Sequence, residues 1–363
     1  MLNRIAVVGA GAVGGYIAGK LAAAGRDVVA IDTWIAHIER IRSAGLTLKE
    51  PGGAANARLE ALHISDVQSL VRKPVDVALI CTKSYDTAWA AKMIEPYLAP
   101  EGCAVSIQNS LNEEQIAGVV GWERTLGCIA STISVVATGP GEITRVRTPG
   151  GSTYTVFRVG EAHGRVTPRA TSIAELLSNV DSSKVTTNLW GERWAKLTTN
   201  SMHHGILGSA GISDHDLMKN TATRRLAIRC AGEAIRVAQA LGHPLEPILR
   251  MPASLWLAAA RNEKPALAEL EAGWIKWMER SKEPHYGSIG QDLSKGRRTE
   301  IDYVCGYVAA KGESVGVPAP TQDALYRIVK RVERGEIAQS MDNIASLLAT
   351  VDVAQAPSPA AGS

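Results

Sequence analysis

Phenylalanine is nearly missing from this chain: Phe157 stands alone against eight tryptophans. Cysteine is sparse as well. The five present (Cys81, Cys103, Cys128, Cys230 and Cys305) are scattered singly, mostly in apolar stretches. That pattern excludes a disulfide framework and a zinc site, so no metal is expected, and it suits buried thiols in a reducing cytoplasm. Long runs of one charge sign are absent, and the formal net charge is only +3, which argues against nucleic acid or a membrane surface as partner. No apolar run reaches the ~20 residues needed to span a bilayer. The first strand signal begins almost at Met1, leaving no room for a cleaved signal peptide. What remains is an ordinary globular composition, 45% hydrophobic and 21% charged over 363 residues, with two domains as the natural expectation.

The chain opens on a short apolar run, Ile5 to Val8, that passes directly into Gly9, Gly11 and Gly14 and then into a helical pattern carrying Tyr16, Ile17 and Leu21. Strand, tight glycine turn and helix in that order bind the pyrophosphate of a dinucleotide. Gly9 permits the turn, Gly11 lets the phosphates approach the backbone, and Gly14 lets helix and strand pack closely. The helix N-terminus adds unpaired N–H groups and a positive dipole end. Gly25 ends this helix, Asp27 to Ile31 reads as a second strand, and Asp32 stands at its end, near the spacing expected of a ribose-binding acid. A carboxylate there accepts hydrogen bonds from ribose hydroxyls and repels a 2′-phosphate, so NAD(H) is favoured over NADP(H). Two alternatives stay open. Asp32 can instead cap the next helix, Trp34 to Arg42, and Arg40 or Arg42 can reach a phosphate.

Further strands are expected at Val75–Cys81, Cys103–Ile107 and Leu126–Ser131, with helices at Asp86–Tyr97 and Asn112–Val120. Such alternation predicts a parallel sheet covered by helices on both faces. From Thr132 to Val159, short runs punctuated by glycine read as antiparallel strands closing the sheet edge. The pattern turns helical near Leu189, with segments through Gly205 and at Thr221–Leu241, Leu255–Arg280, Thr299–Lys311, Thr321–Arg334 and Gln339–Ala349. The expected fold is therefore α/β: an N-terminal Rossmann dinucleotide-binding domain over residues 1–187, then an all-helical C-terminal domain over 188–353. Residues 354–363 are expected to form a disordered tail. In the helical half, Lys196 lies in an otherwise apolar helix beside Trp194 and Leu197, where partial burial favours a general acid near neutral pH. Asn200 and His204 follow at intervals of four, along one helical stripe.

Several separated motifs occur in order: the glycine turn, Cys81-Thr82-Lys83, Ile107-Gln108-Asn109, Leu189-Trp190 leading to Lys196-Leu197, and Ser288 leading to Thr299-Glu300-Ile301-Asp302-Tyr303. With these the chain resembles the ketopantoate reductase family (2-dehydropantoate 2-reductases) over nearly its whole length, apart from the tail and a stretch near 255–281. The resemblance implies reduction of a 2-oxo acid carbonyl by a nicotinamide cofactor, in a cleft between a Rossmann domain and a helical domain. It assigns Lys196 as catalytic lysine and Asn109 to the nicotinamide ribose and the carbonyl, with Asn109 placed at a strand end. Lys83 falls beside the cofactor phosphates and Glu300 at its ribose, while Asn200 and Ser288 hold substrate. Arg297, Arg298 and Lys196 are candidates for the cation beside the substrate carboxylate. His204 replaces a common asparagine and Ser110 a common glycine. In NADPH-using members an arginine often follows the second strand, where Asp32-Thr33 stands here. His204, Ser110 and the stretch with Trp256, Trp274 and Trp277 suggest an acyl group other or larger than that of ketopantoate. A homodimer through the tryptophan-rich helical domain is also expected. Two rival readings are an opine-type dehydrogenase acting on an imine and a non-catalytic NAD(H)-binding sensor.

Overall fold

The structure, a computed structural model, describes residues 3–278 and 284–353. The chain divides into two compact units, Met1–Leu189 and Trp190–Ser363. The first unit contains, in order, β1 (Arg4–Val8), α1 (Ala12–Ala23), β2 (Asp27–Asp32), α2 (Ile35–Ala44), β3 (Leu46–Glu50), β4 (Gly53–Ala57), β5 (Glu60–His63), β6 (Val75–Ile80), α3 (Thr87–Ile94), β7 (Leu98–Ser106), α4 (Glu113–Val120), β8 (Thr125–Ala130), β9 (Val135–Gly139), β10 (Glu142–Arg145), β11 (Phe157–Glu161), α5 (Pro168–Leu177) and β12 (Ser183–Val185). The continuous apolar run of β1 is buried on both faces, as a central parallel strand requires. Eight strands form the main sheet in the order β12-β11-β8-β7-β6-β1-β2-β5. β1 pairs in parallel with both β2 and β6. The chain thus builds outward from β1 on one side and returns to its other side, which places a topological switch point between β1 and β6.

Ile5, Val7, Val28 and Leu79 belong to a core on one face of the sheet, which also takes in Tyr16, Ile17 and Leu21 of α1. Ala6, Val8, Val29 and Ile80 belong to the core on the other face, with Ala90, Ile94 and Ile116 of α3 and α4.

The stretch from Thr132 to Val159 departs from expectation. Only β11 joins the main sheet, antiparallel to β8. β9 and β10 form a hairpin in a second sheet of order β4-β3-β10-β9, where β10 runs parallel to β3. The reason is packing on α1: a β-carbon at Gly15 would strike the Ile143 side chain, and one at Gly19 would crowd Leu48. Small residues on that face of α1 bring the second sheet against it. Strand β4, Gly-Ala-Ala-Asn-Ala, has little intrinsic strand preference and depends on this pairing. A buried charge network reinforces the junction. The Arg145 guanidinium bonds the Asp181 carboxylate and donates to the Tyr16 hydroxyl at 3.0 Å, and Tyr16 in turn donates to Glu50. Burial pushes the Asp181 carboxyl up, but the Ser182 and Gly150 N–H groups and Arg145 outweigh it and hold it below the usual carboxylate range.

Among its described residues the second unit contains helices and no strand, with a single bridge between Ile248 and Met251: α6 (Leu189–Ala210), α7 (Asp214–Lys219), α8 (Thr221–Ala240), α9 (Ala253–Ala260), α10 (Lys264–Met278), α11 (Gly287–Ser294), α12 (Cys305–Ser314), α13 (Pro320–Glu333) and α14 (Met341–Val353). α6 runs past Gly205 because Gly205 and Gly208 make room for Cys305 and Ile289 against the helix. The single helix expected over Leu255–Arg280 is broken into α9 and α10 at Asn262, whose φ of 60° is left-handed; Arg280 lies outside the described residues. The segment Thr299–Lys311 begins as a 3-10 turn, Ile301–Tyr303, and becomes α-helical only at Cys305. The tail expected over 354–363 lies outside the described residues. Among the described residues no helix is long and apolar enough to cross a membrane.

Arg145→Ala would leave the Asp181 carboxylate buried without its cation and lower the unfolding free energy by about 3 kcal/mol or more in urea at pH 7. The folded carboxyl titrates below its unfolded value, so the pair's contribution is complete above about pH 4 and fades as pH falls through the folded value. The difference between the two proteins should therefore narrow in acid. A variant as stable as the parent at neutral pH would contradict this role.

Candidate active site in two halves

In the first unit, backbone pairing brings four strand ends to one edge of the sheet. Gly9 N donates to Ile31 O, Cys81 N to Val8 O and Ile107 N to Ile80 O, at 2.8, 2.8 and 3.0 Å. The loops after β1, β2, β6 and β7 therefore emerge side by side. They carry Gly9, Gly11, Lys83 and Asn109, and Asp32 is the last residue of β2, so these five lie at the carboxyl edge where ligands of such sheets bind; Gly14 lies in the first turn of the helix behind them.

The glycines behave as their positions require. Gly9 has φ 91°, and a β-carbon there would stand 2.8 Å from Thr82 N. A β-carbon at Gly14 would overlap the Gly9 carbonyl oxygen, whereas one at Gly11 would meet nothing within 4 Å. Gly11 is the N-cap of α1; no side chain caps this helix, and its first turn holds no acid. Open space in front of uncapped N–H groups fits the diphosphate of a dinucleotide.

Asp32 is half-buried, and its Oδ1 accepts from Trp34 N at 2.9 Å. It closes a turn rather than capping α2, which starts later, at Ile35. Of the two nearby arginines, Arg42 is committed elsewhere, donating to Ala61 O at 2.7 Å and pairing with Asp66 at 2.6 Å. The Arg40 stem covers Gly141.

Asn109 does not end a strand. β7 stops at Ser106, and Asn109 sits three residues on, in a loop closed by its own carbonyl, which accepts from Asn112 Nδ2 at 2.7 Å. A left-handed Ser110, φ 65°, forces this bend. The serine is buried, and its hydroxyl has no hydrogen-bond partner among the described residues. Lys83 is half-buried and precedes a short 3-10 turn, Ser84–Asp86.

Three residues were not singled out from the sequence. Gln108 is buried, and its Nε2 donates to Thr82 O at 3.0 Å and to Thr87 Oγ1 at 2.8 Å, which ties the loop after β6 to the loop after β7. The signal was its place inside the Ile107-Gln108-Asn109 motif. His37 is fully buried, and its Nδ1 accepts from Gly141 N at 2.9 Å. The proton of a neutral ring must then sit on Nε2, and burial lowers the histidine pKa. Trp34 stacks on this ring at 5.1 Å and 10°, yet remains 42% exposed. A flat indole thus stands two residues beyond Asp32, supported from beneath.

In the second unit, α6 separates a packed face from a functional one. Trp194, Leu197, Thr198 and Ser201 are buried. Gln322 Nε2 reaches behind the helix to Ser201 Oγ and Cys230 O, both at 3.0 Å. Glu233 accepts from the N–H groups of Thr321 and Gln322 at the start of α13. Lys196, Asn200 and His204 are half-buried along the opposite stripe. Ser288, in the first turn of α11, approaches His204 Nδ1 at 3.3 Å, and Gly287 packs on the same ring. Ser288 thus meets His204, one member of that stripe. Asn200 and His204 line a recess of about 130 Å3.

Glu300 is buried and immediately precedes the 3-10 turn at Ile301. Asp302 pairs with Lys330 at 3.2 Å. Arg297 and Arg298 are exposed. Trp256 and Trp274 are fully buried and meet edge-on at 5.3 Å, so they are core.

A parallel sheet with a glycine turn at its switch point, joined to a helix that presents lysine, asparagine and histidine in one stripe, defines an oxidoreductase acting on CH–OH groups with a nicotinamide dinucleotide. The chain belongs to the ketopantoate reductase PanE/ApbA family, whose N-terminal model matches residues 5–157 and whose C-terminal model matches residues 188–333. A 2-dehydropantoate 2-reductase of Mesorhizobium japonicum is 28% identical over 356 residues, covering 92% of this chain and 99% of that one. A namesake from Archaeoglobus fulgidus is 25% identical over 341 residues, with the same coverage. Among solved structures, the fold is shared with a ketopantoate reductase of Ralstonia eutropha (TM-score 0.73, 23% identity) and with D-mandelate dehydrogenase bound to NADH and anilino(oxo)acetate (TM-score 0.75, 22% identity). Each alignment covers 92% of this chain and 99% of the other.

Glycine adopts the Ser110 backbone without strain, so Ser110→Gly should hold or raise the melting temperature. Ser110→Val, β-branched at a left-handed position, should cost about 1–3 kcal/mol. Equal stability of the two variants would mean that this bend carries no strain.

Proposed function

We propose that this protein reduces a 2-oxo acid to the 2-hydroxy acid with NADH, and that Lys196 is the general acid. The observation that carries this reading is the stripe of Lys196, Asn200 and His204 on α6, with Ser288 held against His204. The nicotinamide, when bound, supplies the hydride to the carbonyl carbon. As that carbon gains the hydride, negative charge grows on the oxygen, and the Lys196 ammonium meets it and gives up one proton. Asn200 offers an amide donor to the same substrate. Ser288, in the first turn of α11, suits the carboxylate. From the first unit, Gly9, Gly11 and Gly14 shape the diphosphate seat, with Lys83 beside the phosphates. The Asn109 amide orients the carbonyl and the nicotinamide ribose. Glu300 is assigned to that ribose on the family pattern.

The preference for NADH rests on the end of β2. Asp32 has one oxygen engaged by Trp34 N and a second suited to the adenosine ribose. A 2′-phosphate would meet that carboxylate, and the Arg42 guanidinium is already spent on Asp66 and Ala61. Trp34, flat and exposed on its His37 support, would lie alongside the adenine.

Lys196→Ala should lower kcat by about 100-fold or more while NADH still binds within a few-fold of the parent, as followed by NADH fluorescence titration and by loss of absorbance. Unchanged turnover would remove Lys196 from the chemistry. The parent should use NADH in preference to NADPH, and Asp32→Ser should reduce the ratio of their kcat/KM values by about tenfold or more. A parent that prefers NADPH would contradict the role given to Asp32.

A further inference from the structure

Resting on that reductase reading, the recess at the end of the α6 stripe narrows the substrate class: we propose that the protein's substrate is a 2-oxo acid with an aromatic side chain, whose ring occupies this recess.

The recess lies among α6, the start of α7 and the end of α10. Its volume, about 130 Å3, is close to that of cavities known to accept a benzene ring, which are of order 150 Å3. Leu207, Trp277 and Met278 contribute apolar wall, and His203 contributes a ring. Leu207 and Met278 are buried, and Trp277 is half-buried. An indole, a thioether and an imidazole are favourable neighbours for a flat aromatic group.

Several polar atoms of the wall are already engaged within the protein. His203 Nδ1 bonds Thr199 O at 2.8 Å, which holds its ring in place. The same ring meets Trp274 edge-on at 5.3 Å. The Thr199 hydroxyl donates to Ala195 O at 3.1 Å. Asp214 Oδ1 accepts from the backbone N–H groups of His215 and His285, at 2.9 and 2.8 Å. These bonds lower what the recess offers to a hydroxylated aliphatic tail.

The polar end of the site is elsewhere on the same stripe. Asn200 and His204 belong to both the recess and the stripe, and His204 carries Ser288 beside it. A 2-oxo acid placed with its carboxylate at Ser288 and its carbonyl toward Lys196 extends its side chain past His204. The distance between functional end and recess is set by one helix, so the two cannot drift apart. Of the three tryptophans in the α9–α10 stretch, two are core and only Trp277 lines the recess.

The test compares phenylglyoxylate, phenylpyruvate, 2-oxoisovalerate and pyruvate with NADH, in the parent and in Trp277→Ala. The expected result is a kcat/KM for the better aryl acid about 100-fold or more above that for pyruvate, and a fall of that ratio by about tenfold or more in Trp277→Ala. Turnover that favours pyruvate or 2-oxoisovalerate would overturn the aromatic assignment and leave the reductase reading standing. So would an aryl-to-pyruvate ratio that the variant does not change. No turnover with any of the four acids would bring down the reductase reading, and this inference with it.

Discussion

The approach of α1 to β1 governs the first unit. Gly14 lies so close to the Gly9 carbonyl that any side chain would overlap it, and Gly9 itself abuts Thr82 in the loop after β6. That contact sets the helix N-terminus directly over the switch point of the sheet, so its free N–H groups face the edge where four strand ends meet. The same helix carries Gly15 and Gly19 on another face, where the second sheet packs. One short helix of small residues is thus clamped between two sheets. The buried Tyr16–Arg145–Asp181 network fixes its orientation through groups that hydrogen-bond with full burial.

In the second unit, α6 plays a comparable part. Its small and apolar residues let α11, α12 and α13 approach, and the buried Ser201–Gln322–Cys230 bonds hold it from behind. The opposite stripe is left half-buried, which keeps long polar side chains in restricted positions without desolvating them fully. His204 is restrained further, between Ser288 and Gly287. Where a common asparagine of the family would offer an amide, this chain offers a pinned imidazole, larger and less adaptable. That difference lies at the recess.

Much of this was legible in the sequence because it is local. The glycine turn, Asp32 at the end of β2 and the four-residue spacing of Lys196, Asn200 and His204 each depend on a few consecutive residues. The second sheet was not legible, since β3 and β4 are short, β4 has little strand preference, and β3 is partnered by a hairpin some ninety residues later; their strand state comes from pairing rather than propensity. Asn109 was placed at a strand end, whereas the left-handed Ser110 bends the chain after β7 has already stopped. Gln108 and the Trp34–His37 stack were missed because their partners, Thr82, Thr87 and Gly141, lie on other segments. The three tryptophans near α10 looked alike in sequence; the break at Asn262 separates α9 from α10, and the packing of the two helices on each other takes up two of the three tryptophans.

The central claim is that hydride passes from reduced nicotinamide to the carbonyl carbon of a 2-oxo acid. It is tested most directly by supplying NADH deuterated at nicotinamide C4 and locating the label in the product by mass spectrometry and NMR. The account predicts a 2-hydroxy acid carrying deuterium at C2, in equal amount to the NAD+ formed. NADH oxidation that leaves C2 without deuterium, whichever C4 position is labelled, would contradict it.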